Sequence, residues 1–398
     1  MDITIHPRKL SGNLKAIPSK SHAHRLLICA AFADRETIID CAETNRDIEA
    51  TAACLTALGA KIIKSASSYH VSPITAVPKS AVLPCGESGS TLRFLLPVAG
   101  ALGTDTVFIM EGRLPQRPLS PLWEEMERQG CTLTRPDSSS IRCTGRLKPG
   151  NYAIDGGVSS QFISGLLFAL SVLPGCSQLD ITGKVESRPY IDMTRKALRD
   201  FGISTENNLV NGSYPFHSPG KVWVEGDWSN AAFFLGANAL GSQITVNNLN
   251  PNSIQGDSAV TACLNKLSGF TTISAADIPD LIPVLAVVAG CKDGAIFNDI
   301  SRLRLKESDR VETVASMLRL LGAEVETSSN TMKIHPGKYQ SCTIYAAGDH
   351  RIAMAAAIAA TSASGPVTVI GADCVSKSYP NFWEDFKKLG GQYEQHVR

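Results

Sequence analysis

The sequence lacks a surplus of charge of either sign. Its 398 residues carry 38 Lys and Arg against 37 Asp and Glu, and 43% of them are hydrophobic. A disordered chain is charge-rich and poor in apolar residues, and a protein that neutralises nucleic-acid phosphates usually has an excess of Lys and Arg. We therefore expect a folded protein with no nucleic-acid partner. Any positive charge that binds an anion must be arranged locally.

Cysteine pairs and membrane signals are also missing. None of the 11 cysteines lie at CxxC spacing, and several stand singly among apolar residues, as reduced cysteines do in cytosolic proteins. The N-terminal segment MDITIHPRKL has no apolar signal region. The uncharged stretch 352–370 contains Ser, Thr, Gly and Pro, which favours a buried helix and a strand over a membrane span. A cytoplasmic protein without membrane contact is expected.

Several familiar catalytic and metal-binding motifs are absent. The Gly-Lys pairs at 183–184 and 220–221 both precede Val, so neither completes the GxxxxGK[ST] motif of a phosphate-binding loop. The chain has no HExxH, no Cys/His metal spacing and no GxSxG elbow. His22 and His24 flank an alanine without a third ligand nearby. The sequence indicates neither a metal nor an organic cofactor.

What the chain does contain is a pair of helices that recurs about every 70 residues. One helix of each pair is amphipathic and ends in Gly, whereas the other is apolar on all sides and begins with a polar cluster. The terminal glycines are Gly59, Gly130, Gly202, Gly269, Gly322 and Gly390. The apolar helices are predicted to start at Ser21, Ser90, Ser160, Ser229, Asp280 and His350.

The segments between the helix pairs predict the fold class. They contain alternating runs such as TVFIM, which are typical of short strands. Alternating helices and strands over a chain of this length predict an α/β protein of six units, three in each of two domains. In the fourth unit only 11 residues separate the glycine from the next helix, against 27 to 31 elsewhere. That unit is expected to lack one strand hairpin.

The polar clusters suggest a chemical role for the helix starts. Free N–H groups at the N-terminus of a buried helix favour anions, although ordinary capping explains Ser, Asp or Gly at any one of them. Capping does not explain Lys20, Arg25 or Arg351. A cation there opposes the helix dipole by roughly 0.3–1 kcal/mol. We therefore expect a bound anion. Asp280 and Glu307 are candidates either for capping or, beside an anion, for acid–base catalysis.

Nine segments carry motifs that follow one another along the whole chain. They are PSKSHAHR at 18–25, GESGSTLRFL at 86–95, LPQRPLSPL at 114–122, SSQFISGLL at 159–167, ESRPYIDMT at 186–194, IPDLIP at 278–283, RLRLKESDR at 302–310, GDHRIAMA at 348–355 and SKSYPNFWE at 376–384. Together they closely resemble the 5-enolpyruvylshikimate-3-phosphate (EPSP) synthase family of enolpyruvyl transferases. The segments LKESDR and DHRIAM are the most specific.

The resemblance implies two inside-out α/β barrels, each built from three βαβαββ-type units, with the active site in the cleft between the domains. It places one domain at 16–226 and the other at 1–15 plus 227–398. The implied reaction transfers the enolpyruvyl group of phosphoenolpyruvate to the 5-hydroxyl of shikimate 3-phosphate through a tetrahedral ketal, with release of phosphate. This reaction belongs to the shikimate pathway, which supplies chorismate and aromatic amino acids. A cytoplasmic monomer without metal or cofactor is implied, with glyphosate as the family's inhibitor.

The resemblance also implies residue roles. Shikimate 3-phosphate would be bound by Lys20, Ser21, Arg25, Ser159, Ser160, Gln161, Ser187, Asp280 and Lys306. Phosphoenolpyruvate would be bound by Lys20, Gly89, Arg117, Gln161, Arg310, Arg351 and Lys377. Asp280 is the catalytic candidate for the hydroxyl proton, and Lys20 and Glu307 are the candidates for the methylene proton. His350 would orient Glu307 or the phosphate.

Two positions depart from the family pattern, because Arg302 and Glu87 stand where Asn is common. Retained Gly89 leaves space for glyphosate. The alternative family assignment is the sister enzyme that acts on UDP-N-acetylglucosamine. That enzyme normally has Asn after the Lys of the first motif, and it has a Cys in a mobile loop. Here Ser21 follows that Lys, and the loop around Arg117 has no Cys. A remote alternative is a six-repeat DNA clamp, whose lining should be broadly basic.

Overall fold

The computed structural model describes residues 1–212 and 215–396. The chain divides into two compact units. The central unit is Pro18–Glu225, and the terminal unit joins Met1–Ile17 to Gly226–Arg398. The domain limits predicted from the sequence lie within two residues of these bounds.

The helices in the described ranges alternate between buried and amphipathic members. They are α1 Lys20–Ala31, α2 Arg46–Ala57, α3 Gly89–Leu102, α4 Leu122–Arg128, α5 Ser160–Val172, α6 Arg188–Asp200, α7 Trp228–Ala239, α8 Val260–Lys266, α9 Ile282–Cys291, α10 Arg310–Leu321, α11 His350–Ala360 and α12 Phe382–Lys388. The odd-numbered helices are the predicted apolar series. No helix of the described chain has both the length and the apolar composition needed to cross a bilayer.

The strands in the described ranges are short, as expected for the predicted units. They are β1 Asp2–His6, β2 Ser11–Lys15, β3 Thr37–Asp40, β4 Lys61–Lys64, β5 Ser68–Ser72, β6 Ser80–Gly86, β7 Asp105–Met110, β8 Cys131–Thr134, β9 Ser140–Gly145, β10 Asn151–Asp155, β11 Gly175–Thr182, β12 Leu209–Gly212, β13 Lys221–Trp223, β14 Gln243–Asn247, β15 Thr271–Ser274, β16 Ala295–Asn298, β17 Glu324–Thr327, β18 Thr331–His335, β19 Cys342–Tyr345, β20 Val367–Ile370 and β21 Gln392–His396.

The described residues form three sheets in each unit. In the central unit the strand orders are β13-β3-β5-β4, β6-β7-β9-β8 and β10-β11-β12. The second sheet shows the complete βαβαββ pattern: β6 and β7 are parallel across α3, and β9 lies antiparallel to both β7 and β8. Its register pairs Val82 with Val107 and Phe108 with Ile141.

In the terminal unit the strand orders are β19-β20-β1-β21, β15-β16-β18-β17 and the two-stranded β14-β2. The N-terminal strand β1 pairs antiparallel with β20 and β21, so the first residues complete a sheet made by the end of the chain. Helix α8 is followed by the single strand β15 before α9, whereas three strands separate α10 from α11. The predicted loss of a hairpin in the fourth unit is confirmed.

The apolar helices form the core of each unit because their surfaces cannot face water. Helix α9 is buried from Ile282 through Gly290, and α5 is buried from Phe162 through Val172. A buried glycine allows α5 to approach α3 closely, since a Cβ atom built on Gly165 would overlap the carbonyl oxygen of Arg93. The same atom would lie 2.9 Å from Cγ of Pro97. The starts of α3 and α5 are held in fixed relation by this contact.

One predicted helix start is wrong. Asp280 was expected to open the fifth apolar helix, but α9 begins at Ile282, and Leu281 is its N-cap. Asp280 lies in the turn between Pro279 and Pro283, and its carboxylate accepts hydrogen bonds from arginine side chains instead of capping the helix. The side chain is therefore available to a charged cluster.

The contact at Gly165 gives a test of the packing. Gly165→Ala forces α3 and α5 apart, and overpacking of this kind lowers the free energy of unfolding by about 1–3 kcal/mol. Gly269→Ala is the control, because a Cβ there meets no described atom within 4 Å. Urea unfolding followed by circular dichroism should show a lower midpoint for Gly165→Ala only. Equal midpoints for the two variants would contradict the packing account.

Candidate active site

The first basic residue of the central unit is paired with a buried acid. Helix α1 begins at Lys20, and its ammonium group donates to Asp47 Oδ2 at 2.8 Å. Asp47 lies in the first turn of α2, where a carboxylate is favoured by the helix dipole. The exposed fractions of the two side chains are 15% and 8%. An acid on a neighbouring helix thus compensates the cation that the dipole of α1 disfavours.

Arg25, one turn into α1, is held by protein groups on three sides. Its guanidinium donates to Thr194 Oγ1 at 2.8 Å, to the Ser21 carbonyl at 2.5 Å and to the Tyr190 carbonyl at 2.7 Å. Burial lowers the pKa of Arg25 to about 10, so it stays a cation at neutral pH. The position of Arg25 therefore has a structural explanation in the tie between α1 and α6.

The starts of α3 and α5 bring three predicted phosphoenolpyruvate residues together. Gln161 Nε2 donates to Ser90 Oγ at 2.9 Å, and Arg93 donates to Gln161 Oε1 at 2.7 Å. A Cβ on Gly89 would lie 2.7 Å from Arg117 Nη1 and 3.1 Å from Arg93 Nη1. Glycine thus lets two guanidinium groups approach the N-terminus of α3, which is an arrangement suited to an anion.

The predicted serines occupy helix starts in the same unit. Ser159 caps α5 by accepting from the Gln161 N–H at 3.3 Å, and Ser160 is buried behind it. Ser187 precedes α6 with a left-handed backbone, at a φ of 54°, and its side chain makes no capping hydrogen bond. Such a backbone is disfavoured for serine and often marks a functional position.

In the terminal unit, three acids surround one arginine. The Arg310 guanidinium donates to Asp349 at 2.8 Å, to Asp280 at 2.7 Å and to Glu307 at 2.6 Å. Burial alone would lower the pKa of Arg310, but Asp349, Glu307 and Asp280 raise it well above its ordinary value. Arg310 is 1% exposed, so it fixes the positions of Asp280 and Glu307 from the interior of the unit. Its predicted contact with phosphoenolpyruvate stays a prediction.

Asp280 is in turn surrounded by three cations. Besides Arg310, Arg351 Nη2 donates to Asp280 Oδ2 at 3.0 Å, and Lys306 Nζ lies 3.6 Å from Oδ1. Burial would raise the pKa of the Asp280 carboxyl, but Arg351, Lys306 and Arg310 hold it well below its usual range. Burial lowers the pKa of Lys306 to about 8, although Asp280 opposes the shift. The cluster therefore combines an ionised acid with a lysine that can exchange its proton near neutral pH.

The remaining predicted residues of this unit lie at element ends. His350 is the first residue of α11 and is 1% exposed, and Lys377 ends the 3-10 turn Ala372–Lys377. Arg310 contacts Glu307 at 2.6 Å. Orientation of Glu307 by His350 stays a prediction. The described residues contain no group of acids, histidines and cysteines placed to hold a metal ion.

A comparison with protein families identifies the family of this chain. The model of the EPSP synthase (3-phosphoshikimate 1-carboxyvinyltransferase) family matches residues 5–277 and 269–386, which is nearly the whole chain. This chain belongs to the EPSP synthase family. The match favours the family predicted from the sequence over the two alternatives, the sister enzyme and the DNA clamp.

Relatives named 3-phosphoshikimate 1-carboxyvinyltransferase match over nearly their full length. The Clostridium beijerinckii enzyme is 38% identical, with 99% of this chain and 98% of the relative covered. The Clostridioides difficile enzyme is 36% identical with the same coverage. The family assignment thus applies to both units.

Solved structures share the fold. EPSP synthase from Acinetobacter baumannii superposes with a TM-score of 0.80 at 22% identity, covering 99% of this chain and all of that one. The enolpyruvyl transferase NikO from Streptomyces tendae gives a TM-score of 0.76 at 19% identity, covering 100% of this chain and 99% of that one. At these identities the likeness supports the two-domain α/β fold alone.

Three residues of this EPSP synthase family member were missed as site residues. Asp47 pairs with Lys20, Arg93 contacts Gln161, and Asp349 anchors Arg310. For Arg93 and Asp349 the available signal was a charged residue in or next to an otherwise apolar helix. Asp47 lies in the amphipathic helix α2, where a charged residue gives no such signal. Asp349 looked like an ordinary cap, which it also is, since it accepts from the Arg351 N–H at 3.0 Å.

The acids around Arg310 predict a large loss of stability when it is replaced. Arg310→Gln removes the cation that contacts the buried Asp349 and the partly buried Asp280 and Glu307. Breaking a buried pair lowers the unfolding free energy by about 3–5 kcal/mol. Arg304→Gln is the control, because Arg304 is 30% exposed and pairs with Asp309 and Glu312 on the surface. The unfolding free energy of Arg304→Gln should fall by less than about 1 kcal/mol. Urea unfolding compares the variants, and similar losses would contradict the buried cluster.

Proposed function

We propose that this chain transfers the enolpyruvyl group of phosphoenolpyruvate to the 5-hydroxyl of shikimate 3-phosphate. The observation that carries the proposal is the Asp280 carboxylate, which lies within 2.7–3.6 Å of Arg310, Arg351 and Lys306. An ionised acid among cations provides a base and an anion site in one place. That combination is what a reaction between two phosphorylated substrates requires.

The proposed reaction is an addition followed by an elimination. The substrate oxygen forms a bond to C2 of phosphoenolpyruvate as the hydroxyl loses its proton, and the methylene carbon C3 gains one. The resulting ketal then loses a proton from C3, and its C2–O bond to phosphate breaks. Atoms balance without an oxidant or a cofactor. The protein's contribution is to hold both anions and to move these protons.

Asp280 is proposed to take the hydroxyl proton. In the free protein its pKa lies well below the usual range because Arg351, Lys306 and Arg310 stabilise its negative charge. Phosphoenolpyruvate would compete with Asp280 for Arg351, and shikimate 3-phosphate would compete with it for Lys306. Removing that stabilisation raises the pKa of Asp280, so substrate binding makes it a stronger base.

The methylene proton is assigned to Lys20 and Glu307, as the family resemblance implies. Each of them contacts a partner that fixes its position: Asp47 lies 2.8 Å from Lys20, and Arg310 lies 2.6 Å from Glu307. His350 is proposed as an orienting residue. These roles are inferred from burial, charge and the family motifs together.

The binding roles are proposed for both clusters. Shikimate 3-phosphate is assigned to Lys20, Ser21, Arg25, Ser159, Ser160, Gln161, Ser187, Asp280 and Lys306. Phosphoenolpyruvate is assigned to Lys20, Gly89, Arg117, Gln161, Arg310, Arg351 and Lys377. We assign both clusters to one pair of substrates. A cytoplasmic monomer without a nucleic-acid partner stays a prediction from the sequence.

The function is tested by phosphate release from shikimate 3-phosphate and phosphoenolpyruvate, alone and together. Release should require both substrates. Asp280→Asn keeps the shape but cannot accept the proton, so kcat should fall by about 10²–10⁴-fold with a smaller change in either KM. The measurement is steady-state phosphate release at saturating substrate.

Asp309→Asn is the matched control. It changes a nearby acid that caps α10, and Asn is an equally good cap, so kcat should stay within about twofold. No release by the wild-type chain, or release with UDP-N-acetylglucosamine instead, would overturn the proposed function. An unchanged kcat for Asp280→Asn would remove Asp280 from the mechanism.

A further inference from the structure

Four buried polar side chains near the helix starts of the central unit form a hydrogen-bond network. The His24 Nδ1 atom lies 2.7 Å from Thr51 Oγ1, and Thr51 Oγ1 lies 2.7 Å from Thr91 Oγ1. Thr91 Oγ1 donates to Ser88 Oγ, again at 2.7 Å. All four side chains are 0% exposed. Water therefore does not compete for these hydrogen bonds.

The direction of the hydrogen bonds follows from counting protons. Each hydroxyl has one proton to donate. Since Thr91 gives its proton to Ser88, Thr51 donates to Thr91, and the Thr51 oxygen accepts from His24 Nδ1–H. Burial lowers the pKa of His24 to about 3, so the ring is neutral at physiological pH. Its Nε2 atom has no hydrogen-bond partner among the described residues, which suits an unprotonated nitrogen.

The hydrogen-bond network connects three helices that carry predicted site residues. His24 lies one turn after Lys20 on α1, and Thr51 lies one turn after Asp47 on α2. Thr91 is in the first turn of α3, directly after Gly89 and Ser90. Asp47, on the same helix as Thr51, holds Lys20 through its side chain. The position of the α3 start is thereby tied to the position of Lys20.

A second contact supports this tie. The His24 and Phe94 rings pack nearly perpendicular to each other at a centroid distance of 6.4 Å, and Phe94 lies on α3, one turn after Ser90. The guanidinium carbon of Arg25 lies 5.1 Å from the centre of the same ring. His24 and Arg25, which are adjacent on α1, therefore both pack against α3. Of these two, His24 is the one that joins the hydrogen-bond network.

We propose that His24 is a positioning residue for phosphoenolpyruvate: through Thr51 and Thr91 it holds the start of α3 in fixed relation to Lys20. The inference rests on the proposed function, in which Gly89 and Lys20 both bind phosphoenolpyruvate. Small displacements of binding groups lower the rate of reaction strongly. Gly89 is assigned to phosphoenolpyruvate alone, so loosening α3 affects that substrate selectively.

Thr51→Val interrupts the hydrogen-bond network at its middle residue without changing the shape of the side chain. The KM for phosphoenolpyruvate should rise about tenfold, the effect of one unmade buried hydrogen bond. The KM for shikimate 3-phosphate should change less than about twofold. Thr106→Val is the matched control, because Thr106 is also 0% exposed in the central unit, but its hydroxyl donates to the Cys143 carbonyl, at 3.5 Å, and to no predicted site residue of the described chain. Both KM values should be unchanged in the control.

Two substitutions of His24 separate positioning from packing. Asn has an amide N–H near the place of Nδ1–H, so His24→Asn should keep the KM for phosphoenolpyruvate within about twofold of wild type. His24→Leu fills the space but has no donor, and it should reproduce the rise seen for Thr51→Val. Circular dichroism checks that each variant is folded. Equal effects of the Asn and Leu substitutions, or equal rises in both KM values, would overturn the proposal.

Calorimetric titration with phosphoenolpyruvate separates this inference from the proposed function. If the wild-type chain binds phosphoenolpyruvate without turnover, a weaker Kd for Thr51→Val and His24→Leu supports the positioning role, while the proposed function is rejected. If the wild-type chain turns over and these variants match it in KM and Kd, only the positioning role is rejected. A wild-type chain that neither turns over nor binds phosphoenolpyruvate rejects both.

Discussion

The contact between Arg310 and its three acids is the constraint on which the terminal unit's chemistry depends. A guanidinium that is 1% exposed is stable only if its charge is compensated, and Asp280, Glu307 and Asp349 provide this at 2.6–2.8 Å. The compensation also places Asp280 beside Arg351 and Lys306. Folding and preparation for catalysis therefore use the same charges, and anionic substrates can change the basicity of Asp280 by binding its neighbours.

The central unit handles buried charge differently. Lys20 is paired with the acid Asp47, whereas the donors of Arg25 are taken by two carbonyl oxygens and a hydroxyl. Neutral acceptors leave the positive charge of Arg25 uncancelled, so that side of the unit remains attractive to anions. The near-zero net charge of the chain, +1, conceals both arrangements because it averages over the whole surface.

The repeat and the α/β class could be predicted from the sequence because each unit repeats the same alternation of apolar and amphipathic helices. The polar starts of the apolar helices likewise pointed to the candidate site. Partners distant in the sequence could not be predicted: the Tyr190 carbonyl that accepts from Arg25 is 165 residues away. Asp280 was expected to begin a helix, but its arginine partners and the flanking prolines keep it in a turn before α9. Such contacts follow from tertiary packing, which local patterns do not contain.

The central claim is that the cations around Asp280 lower its pKa, and that an anionic substrate raises this pKa by binding those cations. Carbon-13 NMR titration of the Asp280 side chain, in the free protein and with phosphoenolpyruvate, tests it most directly. The signal is identified by its absence in Asp280→Asn. We expect a pKa well below the usual aspartate range in the free protein and a higher pKa with phosphoenolpyruvate bound. An ordinary pKa in the free protein, or one that phosphoenolpyruvate leaves unchanged, would contradict it.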